Sequence, residues 1–137
     1  MTTARTIPLP KTDIFALLIY SSLIFYLSSQ SDPAPAIVPF LDILHLDKLF
    51  HATEYGVLGL LWFRVLRKVD FRNPNAMVPV ISIFICLMYA LLDEFLQRFV
   101  PNRMSSMGDL VADGIGASLA VGIRQAIWRR RFAFAKE

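Results

Sequence analysis

The sequence predicts an all-α membrane protein: four transmembrane helices in an antiparallel bundle, with both termini cytoplasmic. Three observations carry this reading. The chain is apolar as a whole, with 55% hydrophobic and 18% charged residues and a mean hydropathy of +0.52, whereas soluble domains average about 25% charged residues. Its apolar residues fall into four runs, and Met77 to Leu92 carries no charge at all, although a soluble helix keeps a polar face. Its basic residues are one-sided. Of 14 Lys and Arg, all but Lys48, Arg98 and Arg103 lie in the N-terminal tail, the 64–72 turn and the C-terminal tail, the side that the positive-inside rule assigns to the cytoplasm.

The length of 137 residues allows one domain, 1–137. Residues 1–12 are a polar tail with Pro8 and Pro10. The first helix is expected at about 12–29, built on the apolar run Ile14–Leu27 and ending in Ser28-Ser29-Gln30. A secretory signal is the competing reading of this run and would need cleavage near Ser31–Ala36. Pro33, Pro35 and Pro39 break any regular helix over 31–46, so that segment either lies at the interface or dips back toward the bundle. The second helix is expected at about 47–65, followed by the basic turn through Arg67, Lys68 and Arg72. The third is expected at about 76–100, with Pro79 in its first turn, and the fourth at about 104–124. The arginine-rich residues from Arg124 to Arg131 read as a basic tail that sets topology and attracts anionic lipid. The net charge of +3, scattered over helix ends, gives no nucleic-acid footprint. The single Cys86, amid Ile85 and Leu87, excludes an intramolecular disulfide and reads as packing.

The acids show the reverse distribution and enter the helices. On the second helix Asp47, His51 and Glu54 lie within about 60° of one face at 100° per residue, with Tyr55 extending the face and Lys48 beside it. On the third, Tyr89, Asp93 and Gln97 form a stripe with Glu94 at its edge. On the fourth, Ser105, Asp109, Asp113, Gly116 and Ala120 share a stripe, its small residues allowing close helix approach. Counted at about 1.5 Å per residue from the outer ends, His51, Gln97 and Asp109 lie roughly 5–8 Å deep, and Glu54, Asp93 and Asp113 roughly 10–14 Å. Charge facing lipid costs ~2.5–3.5 kcal/mol per residue on the most lenient scale. The three stripes are therefore expected to face one another around a cavity open to the outer side. Asp47, Glu54, Asp93, Glu94, Asp109 and Asp113 outnumber Lys48, Arg98 and Arg103 there, so protonated acids or a bound cation are expected.

Four short motifs occur in order along the chain. They are Ser28-Ser29-Gln30; Asp47-Lys48-x-x-His51-x-x-x-Tyr55-x-x-Leu58-Gly59; Asp93-Glu94-x-x-Gln97-x-Phe99-x-Pro101-Asn102-Arg103; and Asp109-x-x-x-Asp113-x-x-Gly116. Together they resemble the VanZ-like family of small bacterial membrane proteins over about residues 14–123. Two positions depart from the family pattern, Asn102 where glycine is common and Asp113 where asparagine is common. Asn102 still suits a left-handed turn; Asp113 adds a charge. The resemblance implies a multi-pass protein of the bacterial cytoplasmic membrane linked to the cell envelope. The family's name-giving member is associated with teicoplanin-type glycopeptide resistance, and no settled reaction comes with the family.

The candidate ligand-binding set is Asp47, Lys48, His51, Tyr55, Glu94, Gln97, Arg103, Asp109 and Asp113. If chemistry occurs, the candidates for it are His51, Glu54, Asp93, Glu94 and Asp109. Arg103 either grips an anionic ligand, with Lys48 as a second charge, or pairs with Asp109 or Asp93 to fasten the turn. His51 and the acids are an acid–base pair, cation ligands or a satisfied polar network. Their spacing matches no dedicated metal motif, and no cofactor is evident. Tyr55 and Tyr89 read as hydrogen-bonded core residues. There is no nucleotide-binding motif to drive a pump, no Ser-His-Asp order and no catalytic cysteine. The expected partners are membrane lipids and a lipid-linked envelope precursor, bound as an accessory factor or acted on as a substrate.

Overall fold

The computed structural model describes residues 11–31, 46–103 and 106–133. They form four α-helices: α1 (Lys11–Ser28), α2 (Leu46–Leu66), α3 (Pro74–Gln97) and α4 (Met107–Ala133). The expected interfacial or re-entrant segment after the first helix lies outside the described residues. Three of the helices, α1, α3 and α4, are long and apolar enough to cross a membrane. The fourth, α2, has 21 residues; its polar first turns, Asp47 to Glu54, lower its hydropathy.

The burial pattern is that of a protein in lipid. Large apolar side chains such as Phe84, Leu91, Leu92, Phe95 and Leu119 are exposed, while Asp93, Glu94, Gln97 and Asp113 are buried. Charge turned inward and hydrocarbon turned outward is the arrangement a bilayer favours. Consecutive helices run antiparallel: Asp13 near the start of α1 meets Arg64 near the end of α2, and Asn75 at the start of α3 meets Gln125 in α4. Helices α2 and α4 are parallel neighbours, Lys48 meeting Asp109 and Arg67 meeting Gln125, and they form the most extensive interface in the bundle.

Small residues make that interface. The Gly116 backbone lies so close to the Ala52 carbonyl that any Cβ there would overlap it, and a Cβ on Gly56 would sit 3.3 Å from the Gly116 carbonyl oxygen. Ala120 faces Gly56 as well, so the expected small-residue stripe is the contact surface. Of the glycines expected off that stripe, Gly114 faces Leu87 of α3, Gly108 lies beside Lys48, and Gly122 faces open space.

The helix ends depart from expectation in three places. Helix α3 starts at Pro74, a residue pre-set for the first helical position, so Pro79 lies in its second turn rather than its first. Proline has no N–H to offer the carbonyl four residues back. That carbonyl, Asn75 O, is instead taken by Gln125 Nε2 at 2.9 Å and an Arg129 guanidinium nitrogen at 3.2 Å. Helix α3 ends at Gln97, before tight turns over Arg98–Arg103 in which Asn102 adopts φ 61°. Helix α4 begins at Met107 and runs through the arginines to Ala133, because arginine is a good helix former and Trp128 packs under Arg67. The expected tail is a helical turn of the bundle.

Gly116→Ala is expected to destabilise the protein by about 1–3 kcal/mol or more, since the obstacle is backbone and cannot rotate away. Gly122→Ala, with no neighbour within 4 Å, is the matched control. Thermal unfolding in detergent, followed by helical circular dichroism, checks the pair; equal melting temperatures would contradict the packing.

Candidate functional site

The close α2–α4 approach brings the polar first turns of both helices face to face. Lys48 Nζ lies 2.9 Å from Asp109 Oδ1 and 3.0 Å from Asp47 Oδ2. One turn deeper, His51 Nδ1 lies 3.1 Å from Asp113 Oδ1, and its Nε2 lies 3.9 Å from Asp109 Oδ2. The imidazole therefore stands between two carboxylates. Asp113, which is 2% exposed, uses its extra charge on His51, a partner to which an asparagine amide would present no formal charge.

Helix α3 supplies the second wall. Asp93 Oδ2 accepts hydrogen bonds from Ser28 Oγ at 2.8 Å and from Gln97 Nε2 at 3.2 Å. The first ties the end of α1 to α3; the second spans one turn along the stripe. Glu94 is fully inside rather than at the edge, and its Oε2 accepts the Ser106 backbone N–H at 2.9 Å. Ser106 in turn caps α4, its hydroxyl accepting the Gly108 N–H at 3.1 Å. Glu94 therefore fastens the α3–α4 turn, the task that one of the two sequence readings gives to Arg103.

Arg103 binds neither Asp109 nor Asp93. Its Nε and one terminal nitrogen donate to the carbonyls of Gln30 and Leu27, at 3.1 and 3.0 Å, so it neutralises the negative end of α1. Arg98, counted among the outer basic residues, is exposed and outside the cluster. Glu54 lies within electrostatic reach of His51, Asp93, Asp113 and Arg103. Its backbone carbonyl accepts the Tyr20 hydroxyl at 3.1 Å, but its carboxylate has no hydrogen bond among the described residues. Tyr89 is the expected bonded core tyrosine, donating to the Ser21 carbonyl at 2.7 Å.

Within this cluster the Tyr55 hydroxyl, on a side chain with 0% exposure, and Glu94 Oε1 are buried with no hydrogen-bond partner among the described residues. Tyr55 lies within electrostatic reach of Asp93, Asp113 and Glu54, at the centre of the cluster. No three His, Cys, Asp or Glu side chains among the described residues converge as metal ligands would. The sequence reading did not include Ser28, Tyr20 or Ser106 in the site. Ser106-x-x-Asp109 is a capping-box pattern that could have found the α4 start; nothing local marks Ser28 as a partner for Asp93.

The fold and site together define a small multi-pass α-helical membrane protein with an acid-rich polar cluster buried at one end of its bundle. The chain belongs to the VanZ/LLP1 family, whose model matches residues 8–128. No curated protein and no solved structure matches it.

Removing the unpaired hydroxyl in Tyr55→Phe is expected to leave stability unchanged or to raise it by about 1–3 kcal/mol, the cost of an unsatisfied buried group. Ser28→Ala, which takes a donor from the buried Asp93 carboxylate, is expected to lower it by about 1.5–3 kcal/mol. Denaturant midpoints of the purified variants test both signs.

Proposed function

We propose that this protein is a cell-envelope factor of the bacterial cytoplasmic membrane. Its polar cluster faces outward and binds the head group of a phosphate-bearing, lipid-linked or glycopeptide-like envelope molecule, in an accessory or resistance role. The observation that supports this most is the unspent hydrogen-bonding capacity of the buried Tyr55 hydroxyl and Glu94 Oε1 within the cluster. An unpaired buried polar group is costly, and a ligand offering hydroxyl or amide protons to Glu94 and a partner to Tyr55 removes that cost. The anionic part of such a ligand is met by Lys48 and Arg103. Lys48 keeps 41% of its side-chain surface exposed, and both residues retain donors beyond those already bonded.

A second reading, turnover or carriage of the same head group, is favoured by His51. An imidazole held between Asp109 and Asp113 is oriented and charge-stabilised as a general acid or base requires. Glu54 and Asp93 are the further acids within its reach.

Mass spectrometry of lipids that co-purify with the protein tests the binding reading. A phosphate-bearing envelope lipid is expected with the wild type and is expected to fall several-fold in Lys48→Gln and Glu94→Gln, but not in the distant Arg72→Gln. Identical profiles in all four would remove the ligand site. Incubating the protein with that lipid and finding an altered product would decide for turnover. Orientation is tested with Pro101→Cys, an exposed position, since the native Cys86 is buried and silent toward polar maleimides. Labelling from the outer side is expected; labelling only from the cytoplasmic side would invert the topology.

A further inference from the structure

The opposite end of the bundle settles its charge differently. Asp13, buried in α1, takes both Arg64 at 2.7 Å and Lys68 at 2.8 Å, so these two cations share one acidic partner. Three neighbouring arginines have none among the described residues. Arg67 donates to the side-chain oxygens of Asn75 and Gln125, at 3.1 and 2.8 Å, and Arg129 donates to the Asn75 carbonyl that Pro79 leaves orphaned. Arg67 and Arg124 both stack on Trp128, at 4.6 and 5.8 Å from the ring centre. All of these partners are neutral. No carboxylate among the described residues forms an ion pair with Arg67, Arg124 or Arg129, and the Arg67 Nε is buried without a hydrogen-bond partner.

Like charges do not gather without a reason. Burial, then the neighbouring charges of Arg124 and Arg129, push the Arg67 guanidinium below its ordinary value. A guanidinium nonetheless keeps its proton in a protein, so only an anion relieves the repulsion. We propose that the Arg67–Arg124–Arg129 cluster around Trp128 is a binding site for the phosphate of an anionic membrane lipid. Guanidinium groups match phosphate oxygens in geometry and charge, and an interfacial tryptophan stands at head-group level. The lipid source follows from the neighbouring surface. Ile123 and Ile127, next to Arg124 and Trp128 on α4, are 60% and 43% exposed and give an acyl chain an apolar face beside the phosphate. This site lies at the far end of the bundle from the polar cluster and does not depend on the reading given to that cluster.

The test uses a Trp62→Phe chain, which leaves Trp128 as its sole tryptophan, in micelles titrated with phosphatidylglycerol or phosphatidylcholine carrying brominated chains. Trp128 emission is expected to be quenched preferentially by phosphatidylglycerol. The preference should fall about fivefold or more in Arg124→Gln/Arg129→Gln, on the scale of one juxtamembrane arginine's attraction to anionic lipid. It should survive in Arg130→Gln/Arg131→Gln, which removes the same charge from exposed positions outside the cluster. Equal quenching by the two lipids, or equal loss in the two double variants, would overturn the site in favour of diffuse surface attraction. Displacement of the lipid by millimolar inorganic phosphate would overturn the lipid as its source. If the Trp62→Phe chain does not fold, native mass spectrometry of otherwise unsubstituted chains, counting retained phosphatidylglycerol in the same two double variants, reads the same difference.

Discussion

The contact between the Gly116 backbone and the Ala52 carbonyl is the constraint on which the rest of the structure depends. In lipid there is little hydrophobic drive between helices, and association rests on close packing and interhelical hydrogen bonds. Here the packing comes first: Gly56, Gly59, Gly116 and Ala117 remove the side-chain layer between α2 and α4. At that distance the parallel register carries Lys48 onto Asp109 and His51 onto Asp113. A wider spacing would leave the buried Asp113 without its half-buried partner His51, and an uncompensated buried charge is strongly destabilising. The small residues and the charges are thus one device, since each is tolerable only with the other.

Helices α1 and α3 close the cluster from the other sides, through polar links at their ends. Ser28 reaches Asp93 from the last turn of α1, and Arg103 returns from the α3–α4 turn to the final carbonyls of the same helix. The polar site therefore also joins the ends of α1, α3 and α4 at one level. Its acids are structural and available at once. Glu94 spends one oxygen on holding the α4 start and leaves the other unpaired.

Much of this was legible in the sequence, for a physical reason. Periodicity reports which residues share a helix face, and lipid penalises charge strongly enough that polar faces must meet. The three stripes and the small-residue face of the last helix follow from those two facts; the left-handed turn at Asn102 follows from the family resemblance, in which glycine is common there. Pairing within the cluster did not follow. The sequence leaves Arg103 either on an anionic ligand or on a carboxylate; its partners in the structure are carbonyls, because the choice depends on where α1 ends in space, which no local pattern reports. Glu94 was placed at the edge of its stripe and is buried, because the turn after α3 folds the Ser106 amide over it. The C-terminal arginines were read as a tail because charge suggests solvent; Trp128 and the orphaned Asn75 carbonyl give them a surface to pack on.

The two ends of the bundle differ in a way that bears on how a ligand could act. At the basic end the arginines lean on neutral groups at helix termini, so an anion there adds to existing contacts and displaces none. At the acidic end the capacity for a ligand sits on a residue already in use. A group donating to Glu94 Oε1 engages the same carboxylate that holds the Ser106 amide, and through the adjacent Asp93 it stands one residue from the Ser28 link to α1. A ligand bound at that end would therefore engage the groups that hold the α3–α4 turn and the end of α1, while α2 and α4 are packed together at Gly116. The elements free to respond are the helix ends and turns. The rigid α2–α4 pair is the frame against which they would move.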